Sequence, residues 1–327
     1  MSHFTEGKTI GVVGLGLMGN SIITSLVLSG CRIIALAPLN SDRESAPEYL
    51  RHQLHHAQSL NLLDQPVGYY LEQITITEDY ADLEPCVLVM ECVVEDREIK
   101  ASVHQKIEKA VSSSTIIGTN TSAIPISRLQ KNLRNPERFM GIHWAEPAYA
   151  TRFLEIICGS DTDISIAQSV CEWAEGWNKE PTLLQKDIRG FITNRLMYAI
   201  YREALSLEEN GTISFEDLDK AARYDMGSWI PLMGIFQRMD YLGPHQEVEK
   251  YTALLPTLSI RTTTPEIMKN QVKNKHKGVH NGKGIFTYTP EEAEKWKTAF
   301  AVFNRDMYFL IEKYAELKPS KTKEIES

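Results

Sequence analysis

The sequence predicts an α/β fold: a doubly wound sheet with helices on both faces, followed by an all-helical C-terminal domain. Short apolar runs alternate with helical patterns through the first half, a glycine-rich turn joins the first run to the first helix, and strand texture stops after Asp187. In order, residues 9–14 read as a strand, 19–30 as a helix and 32–37 as a second strand. Residues 45–63 form a polar helix, and 87–92, 99–111, 115–119 and 139–143 continue the strand–helix–strand order. Beyond Asp187, residues 191–209, 214–226 and 231–253 carry helical periodicity, punctuated by Gly211, Gly227 and Gly243. Strand-like alternation returns only at 284–288. The expected domains are therefore residues 1–187 and 188–317. The charged, apolar-poor end at 318–327 is expected to be disordered.

A chain of 327 residues is long for a single core, which agrees with two domains. Hydrophobic content of 43% and charged content of 24% suit a water-soluble protein, and a net charge of −8 argues against nucleic acid or an anionic membrane as partner. Apolar stretches are too short to span a bilayer. The start, MSHFTEGKTIGVVG, lacks the pattern of a secretory signal. Five scattered cysteines within mostly apolar runs read as reduced core residues, so a cytoplasmic location is expected. No metal is expected: His52, His55 and His56 share a helix face, but polar neighbours and the lack of nearby ligands favour an exposed surface.

Two sites stand out. Gly14-Leu15-Gly16-Leu17-Met18-Gly19 matches G-x-G-x-x-G between a strand and a helix, the context a dinucleotide site requires. Gly14 permits the tight turn, Gly16 lets a pyrophosphate approach the backbone, and Gly19 lets the helix pack on the strand. The helix start at Leu17 and Met18 offers free N–H groups and a positive dipole end to the phosphates. The second strand ends in Ala37-Pro38, without the usual acid for the adenosine ribose, while Arg43 follows closely. NAD is expected, with NADP left open.

The second site is His143 and Glu155. His143 closes the apolar run Phe139-Met140-Gly141-Ile142, and Glu155 lies inside Phe153-Leu154-Glu155-Ile156-Ile157. A lone carboxylate there is costly to bury without a partner, and an imidazole is the obvious one. Such a pair fixes the tautomer and leaves the other ring nitrogen to take a proton from a substrate. The alternative is a core histidine and an edge-strand glutamate that never meet.

Taken together the motifs resemble the 3-hydroxyacyl-CoA dehydrogenase family from residue 8 to about 290. After the glycine loop come Glu91-Cys92-Val93-Val94-Glu95-Asp96-Arg97-Glu98-Ile99-Lys100, then Asn120-Thr121-Ser122, then His143 and Glu155 at the family's spacing. Lys186-Asp187-Ile188-Arg189-Gly190-Phe191-Ile192-Thr193-Asn194-Arg195 is close to D-x-P-G-F-x-x-N-R. Met233-Gly234, Asp240-Tyr241-Leu242-Gly243 and Lys283-Gly284-Ile285-Phe286-Thr287-Tyr288 look like its later elements. The resemblance implies a Rossmann-type domain followed by a helical substrate and dimerising domain, hence a homodimer. It implies that His143 is the base and Glu155 its orienting partner, with Ser122 and Asn194 bonding the reacting oxygen or the histidine. Glu95, Lys100 and Asn120 then join the glycine loop as cofactor-binding residues.

The resemblance implies interconversion of 3-hydroxyacyl and 3-oxoacyl groups on coenzyme A, within fatty acid metabolism. Two departures point elsewhere. The family's H-F-F-N-P is here His143-Trp144-Ala145-Glu146-Pro147, which puts a carboxylate where the acyl thioester would lie, and Arg189 replaces the proline at the domain junction. A free 3-hydroxy acid or sugar acid, carnitine-like or gulonate-like, is the alternative substrate. A 3-hydroxyisobutyrate-type dehydrogenase shares the glycine loop but needs a helix lysine that is missing beside Asn194. A non-catalytic dinucleotide-binding protein has no need of Ser122, His143, Glu155 and Asn194 together.

Overall fold

Eight strands form one sheet in the order β3-β2-β1-β4-β5-β6-β7-β8. The computed structural model describes residues 7–314. The first half runs β1 (Thr9–Val13), α1 (Leu17–Leu28), β2 (Arg32–Leu36), α2 (Asn40–Ser59), α3 (Val67–Leu71), β3 (Ile74–Thr77), β4 (Leu88–Glu91), α4 (Arg97–Ala110), β5 (Ile116–Thr119) and α5 (Ile126–Gln130). It continues through β6 (Phe139–Trp144), β7 (Phe153–Cys158), α6 (Ile164–Gly176) and β8 (Glu180–Leu184). All neighbours pair in parallel except β6 and β7, which run antiparallel.

Strand alternation divides the core between two faces. Ile10 and Val12 of β1 join Leu26 of α1, Leu50 of α2 and Val170 of α6 on one side. Val13 and Val89 join Ile107 of α4 and Leu129 of α5 on the other. Helices thus cover both faces, which is why central strands such as β4 and β5 are buried throughout. The sequence pattern misses β3 and β8, the two edge strands. Both are short and only partly buried, and Pro181 interrupts β8 where an edge tolerates it.

The chain divides into two compact units between Thr193 and Asn194, six residues beyond the boundary drawn from sequence. The second unit holds α7 (Thr193–Glu209) from its second residue on, α8 (Phe215–Ala221), α9 (Gly227–Leu242), α10 (Pro244–Leu254), α11 (Glu266–Lys273) and α12 (Pro290–Lys313). A single π-helical turn, Ala222–Met226, links α8 to α9, and α9 is interrupted at Gly234, whose φ of 67° lies outside the helical region. The expected strand at 284–288 is not one. Lys283 and Thr287 make an isolated bridge, because no partner strand lies alongside. Among the described residues of this unit only Ala301 and Asn304 are buried. The tail at 318–327 lies outside the described residues. No helix among those described is long and apolar enough to cross a membrane.

Candidate active site

The reversal between β6 and β7 brings the two ends of the candidate site together. His143 and Glu155 are directly opposed in the antiparallel register, so both side chains leave the same face of the sheet. Glu155 Oε2 accepts from His143 Nδ1 at 2.7 Å. Its other oxygen accepts from the backbone N–H of Ile192 at 3.0 Å and Thr193 at 3.3 Å. Burial alone would raise the Glu155 carboxyl, but the His143 hydrogen bond and those two backbone donors outweigh it, and the group stays below its ordinary value. A carboxylate on Nδ1 assigns the proton there, which makes Nε2 of the neutral ring an acceptor. Ser122 Oγ lies 3.1 Å from that Nε2.

A turn in an uncommon conformation delivers the two backbone donors. Gly190 has φ of 82° and Phe191 φ of 48°, in the left-handed region that a residue with a Cβ seldom adopts. The Phe191 ring is fully buried and sits 5.7 Å from the His143 ring, so packing holds the turn.

Glu95 reaches the same place from the other side. Its Oε1 accepts from the Thr121 hydroxyl and from the backbone N–H of Ser122 at 3.1 Å and Ala123 at 3.2 Å, fixing the loop that carries Ser122. Asn120 donates its backbone N–H to Glu91 at 2.8 Å, and its side-chain oxygen accepts from Trp144 N at 3.1 Å, tying the ends of β4, β5 and β6.

Lys100 is not where a ribose ligand would be expected. It has no exposed surface, and Nζ donates to Glu91 at 2.8 Å and to the Asn120 carbonyl at 3.0 Å. The carboxylate of Glu91 draws it inward, because both ions are desolvated and each needs the other. Lys100 thus braces the loop from behind. Glu91 also accepts from His104 at 2.7 Å and Thr119 at 2.6 Å. Burial pushes its carboxyl up, but these hydrogen bonds and charges hold it below the ordinary value. Sequence reading missed Glu91 and His104 as a buried pair. The available signal was that Lys100 and His104 share the face of α4 that buries Val103 and Ile107.

The glycine loop fits a dinucleotide. Gly14 has φ of 98°, and a Cβ there would stand 2.9 Å from the backbone of Cys92. A Cβ on Gly19 would collide with the Gly14 carbonyl oxygen, so helix and strand approach as only glycine allows. A side chain on Gly16 would instead meet open space, and Gly16 precedes α1 without any side-chain cap. Leu17 and Met18 therefore open the helix with uncapped N–H groups, an arrangement suited to a pyrophosphate. Asn194 is the second residue of α7 and opens the second unit.

Residues 9–188 match the family model "3-hydroxyacyl-CoA dehydrogenase, NAD binding domain", and residues 190–288 match the C-terminal domain model of the same family. The chain belongs to the 3-hydroxyacyl-CoA dehydrogenase family. Its first domain is thus an NAD-binding domain, NAD is its cofactor, and it is an oxidoreductase. Among members of this wide family, the chain is 30% identical over 290 residues to 5-formyl-3-hydroxy-2-methylpyridine 4-carboxylate 5-dehydrogenase of Mesorhizobium japonicum, covering 88% of this chain and 93% of the relative. It is 31% identical over 237 residues to L-carnitine dehydrogenase of Oceanobacillus iheyensis, covering 72% of this chain and 76% of that one. A crystal structure of the same pyridine-carboxylate dehydrogenase, described as an NAD+-dependent dismutase, superposes with a TM-score of 0.84 at 28% identity, covering 94% of this chain and 99% of that chain.

The loop after His143 departs from the family motif at Glu146. Glu146 is exposed, yet partial desolvation raises its carboxyl, with a hydrogen bond from Ser21 opposing the rise. Ser21 also accepts from Ala148 N at 2.8 Å, and Tyr149 Oη meets His56 Nδ1 at 2.8 Å, so this loop rests on α1 and α2. Lys179 anchors it from below. Its buried ammonium donates to the Ala148 carbonyl and to that of Thr151 at 2.6 Å, and lies 5.4 Å from the Trp144 ring centre.

Proposed function

We propose that this protein oxidises the secondary alcohol of a small hydroxy acid that is not attached to coenzyme A, with His143 as general base. The continuous hydrogen-bonded set Ser122–His143–Glu155 carries this reading. A dinucleotide-binding module has no use for an imidazole whose one nitrogen is fixed by a buried carboxylate while the other faces a serine hydroxyl. Bound NAD supplies the hydride acceptor. His143 Nε2 takes the hydroxyl proton, and Glu155 stabilises the imidazolium that forms. Ser122 Oγ, bonded to Nε2 in the free protein, turns to donate to the substrate oxygen as it becomes a carbonyl. The family resemblance assigns Asn194 a similar duty toward the reacting oxygen.

Glu146 supports a substrate without a thioester. A carboxylate in place of the family's amide gives up a donor and favours a ligand that offers it a hydroxyl or an ammonium group. Neither relative described above is named for a coenzyme A thioester: one is named for a pyridine carboxylate and the other for L-carnitine. The second reading, a 3-hydroxyacyl-CoA substrate, is favoured by the family itself. A panel of free 3-hydroxy acids, trimethylammonium hydroxy acids and acyl-CoA thioesters, followed by absorbance of the reduced nicotinamide, separates the two. Efficient turnover of acetoacetyl-CoA with none of the free acids would overturn the first.

The protein is further proposed to act as a homodimer. Leu196, Tyr198, Phe236, Trp296, Phe303 and Phe309 are exposed in a unit that buries almost nothing itself, an arrangement that a second copy would cover.

A further inference from the structure

β2 ends without the carboxylate that selects NAD in most folds of this kind, yet the cofactor is NAD. A cation stands in its place. Arg43, in the first turn of α2, folds back over the end of β2, and its Nη1 donates to the carbonyl oxygens of Ala37 at 2.8 Å and Pro38 at 3.1 Å. Left alone, a guanidinium there would suit a 2′-phosphate and favour NADP.

It is not left alone. β3 lies beside β2 in parallel, with Thr77 opposite Leu36, so the residue after β3 emerges next to the residue after β2. That residue is Glu78, and its Oε2 pairs with Arg43 Nη2 at 2.6 Å. Nη2 donates as well to Asn40 Oδ1 at 3.1 Å. Glu78 Oε1 takes no hydrogen bond from the described residues, and the Glu78 side chain is 68% exposed against 22% for Arg43. The pair therefore presents a carboxylate outward and keeps the guanidinium behind it.

We infer that Glu78, supplied by the neighbouring strand, does the work of the missing β2 carboxylate: it accepts from the adenosine ribose hydroxyls, occupies Arg43 and repels a 2′-phosphate. A 2′-phosphate at this position would have to displace Glu78 from Arg43 and sit beside its negative charge.

The test measures binding alone, so its result does not depend on which substrate the enzyme turns over. Isothermal titration of NADH and NADPH into the whole protein compares the wild type with E78Q, R43A and E78Q/R43A. The wild type should prefer NADH. E78Q frees Arg43, so NADPH should tighten by about fivefold while NADH weakens by about threefold or less, the scale set by one partly exposed charge pair. E78Q/R43A should lose the gain for NADPH. The site is at the surface, and an unchanged melting temperature for each variant checks that the fold is intact. An NADH to NADPH ratio in E78Q within about twofold of the wild type would overturn the inference, as would a gain that survives removal of Arg43.

Discussion

Replacing Glu155 by glutamine keeps the shape of the side chain and removes its charge. The native carboxylate takes one ring N–H and two backbone N–H groups, from His143, Ile192 and Thr193, with no exposure to water. An amide has one oxygen for these three donors. With that oxygen toward Ile192 and Thr193, the NH2 faces Nδ1 and forces the ring proton onto Nε2, where it blocks proton uptake. With the amide reversed, two buried N–H groups lose their acceptor at about 1–3 kcal/mol each. The first orientation is therefore favoured, and it holds the wrong tautomer. Loss of the charge that stabilises the imidazolium adds to the effect. The kcat/KM of Glu155→Gln should fall about a thousandfold or more, ~4 kcal/mol in transition-state stabilisation. Initial rates by nicotinamide absorbance measure this, with NADH titration showing that cofactor binding persists. A variant within about threefold of the wild type would show that Glu155 does not set the state of His143.

Other consequences are equally open to measurement. Glu146→Asn restores the family's amide and should lower kcat/KM for the proposed free-acid substrate by about tenfold, the value of one hydrogen bond to a charged group, without harming acyl-CoA turnover; equal rates on the free acid would remove Glu146 from recognition. Burial lowers the Lys179 ammonium from 10.5 to about 7, with nearby Arg152 adding to the effect. Between those values the unfolded chain holds the extra proton, so stability should rise with pH across that window and be lost as pH falls toward 7. Lys179→Met should flatten that part of the melting-temperature profile, and parallel profiles would contradict the assignment. Light scattering at micromolar concentration should give twice the chain mass of 37.1 kDa, and a stable monomer would remove the proposed self-association.

Much of the first domain is legible in the sequence because its strands are buried on both faces and its helices are punctuated by glycine. β4 and β5 show it most clearly: Leu88–Met90 and Ile116–Gly118 are apolar, and each strand ends in a single buried polar residue, Glu91 or Thr119. Edge strands escape because half their residues meet water, as in the mixed burial of β8. The site is legible wherever one polar residue interrupts an apolar strand, which is why His143 and Glu155 stand out. Lys100 reads as a cofactor-binding cation, and its burial against Glu91 is hidden because that partner is nine residues away and on a different element. The cross-strand pairing of Glu78 with Arg43 is hidden for the same reason, since only the parallel register of β2 and β3 brings the two together. Helical texture in the second unit is clear, but the break at Gly234 depends on a local φ that periodicity does not report.

The reversal of β7 against β6 also separates two things that enzymes often change together. The backbone ladder from Met140–Cys158 to Trp144–Leu154 clamps both ends of residues 145–152, whatever that insert contains. Lengthening a surface loop costs little, about 0.6 kcal/mol for each doubling, and leaves the ladder in register. Only a slip of the ladder itself would part the acid from the base, by turning every β7 side chain to the opposite face. The exposed part of the insert, which bears Glu146, can therefore be varied as long as the Ala148 and Thr151 carbonyls remain on Lys179. New substrates become accessible through it while the proton chemistry stays fixed on either side.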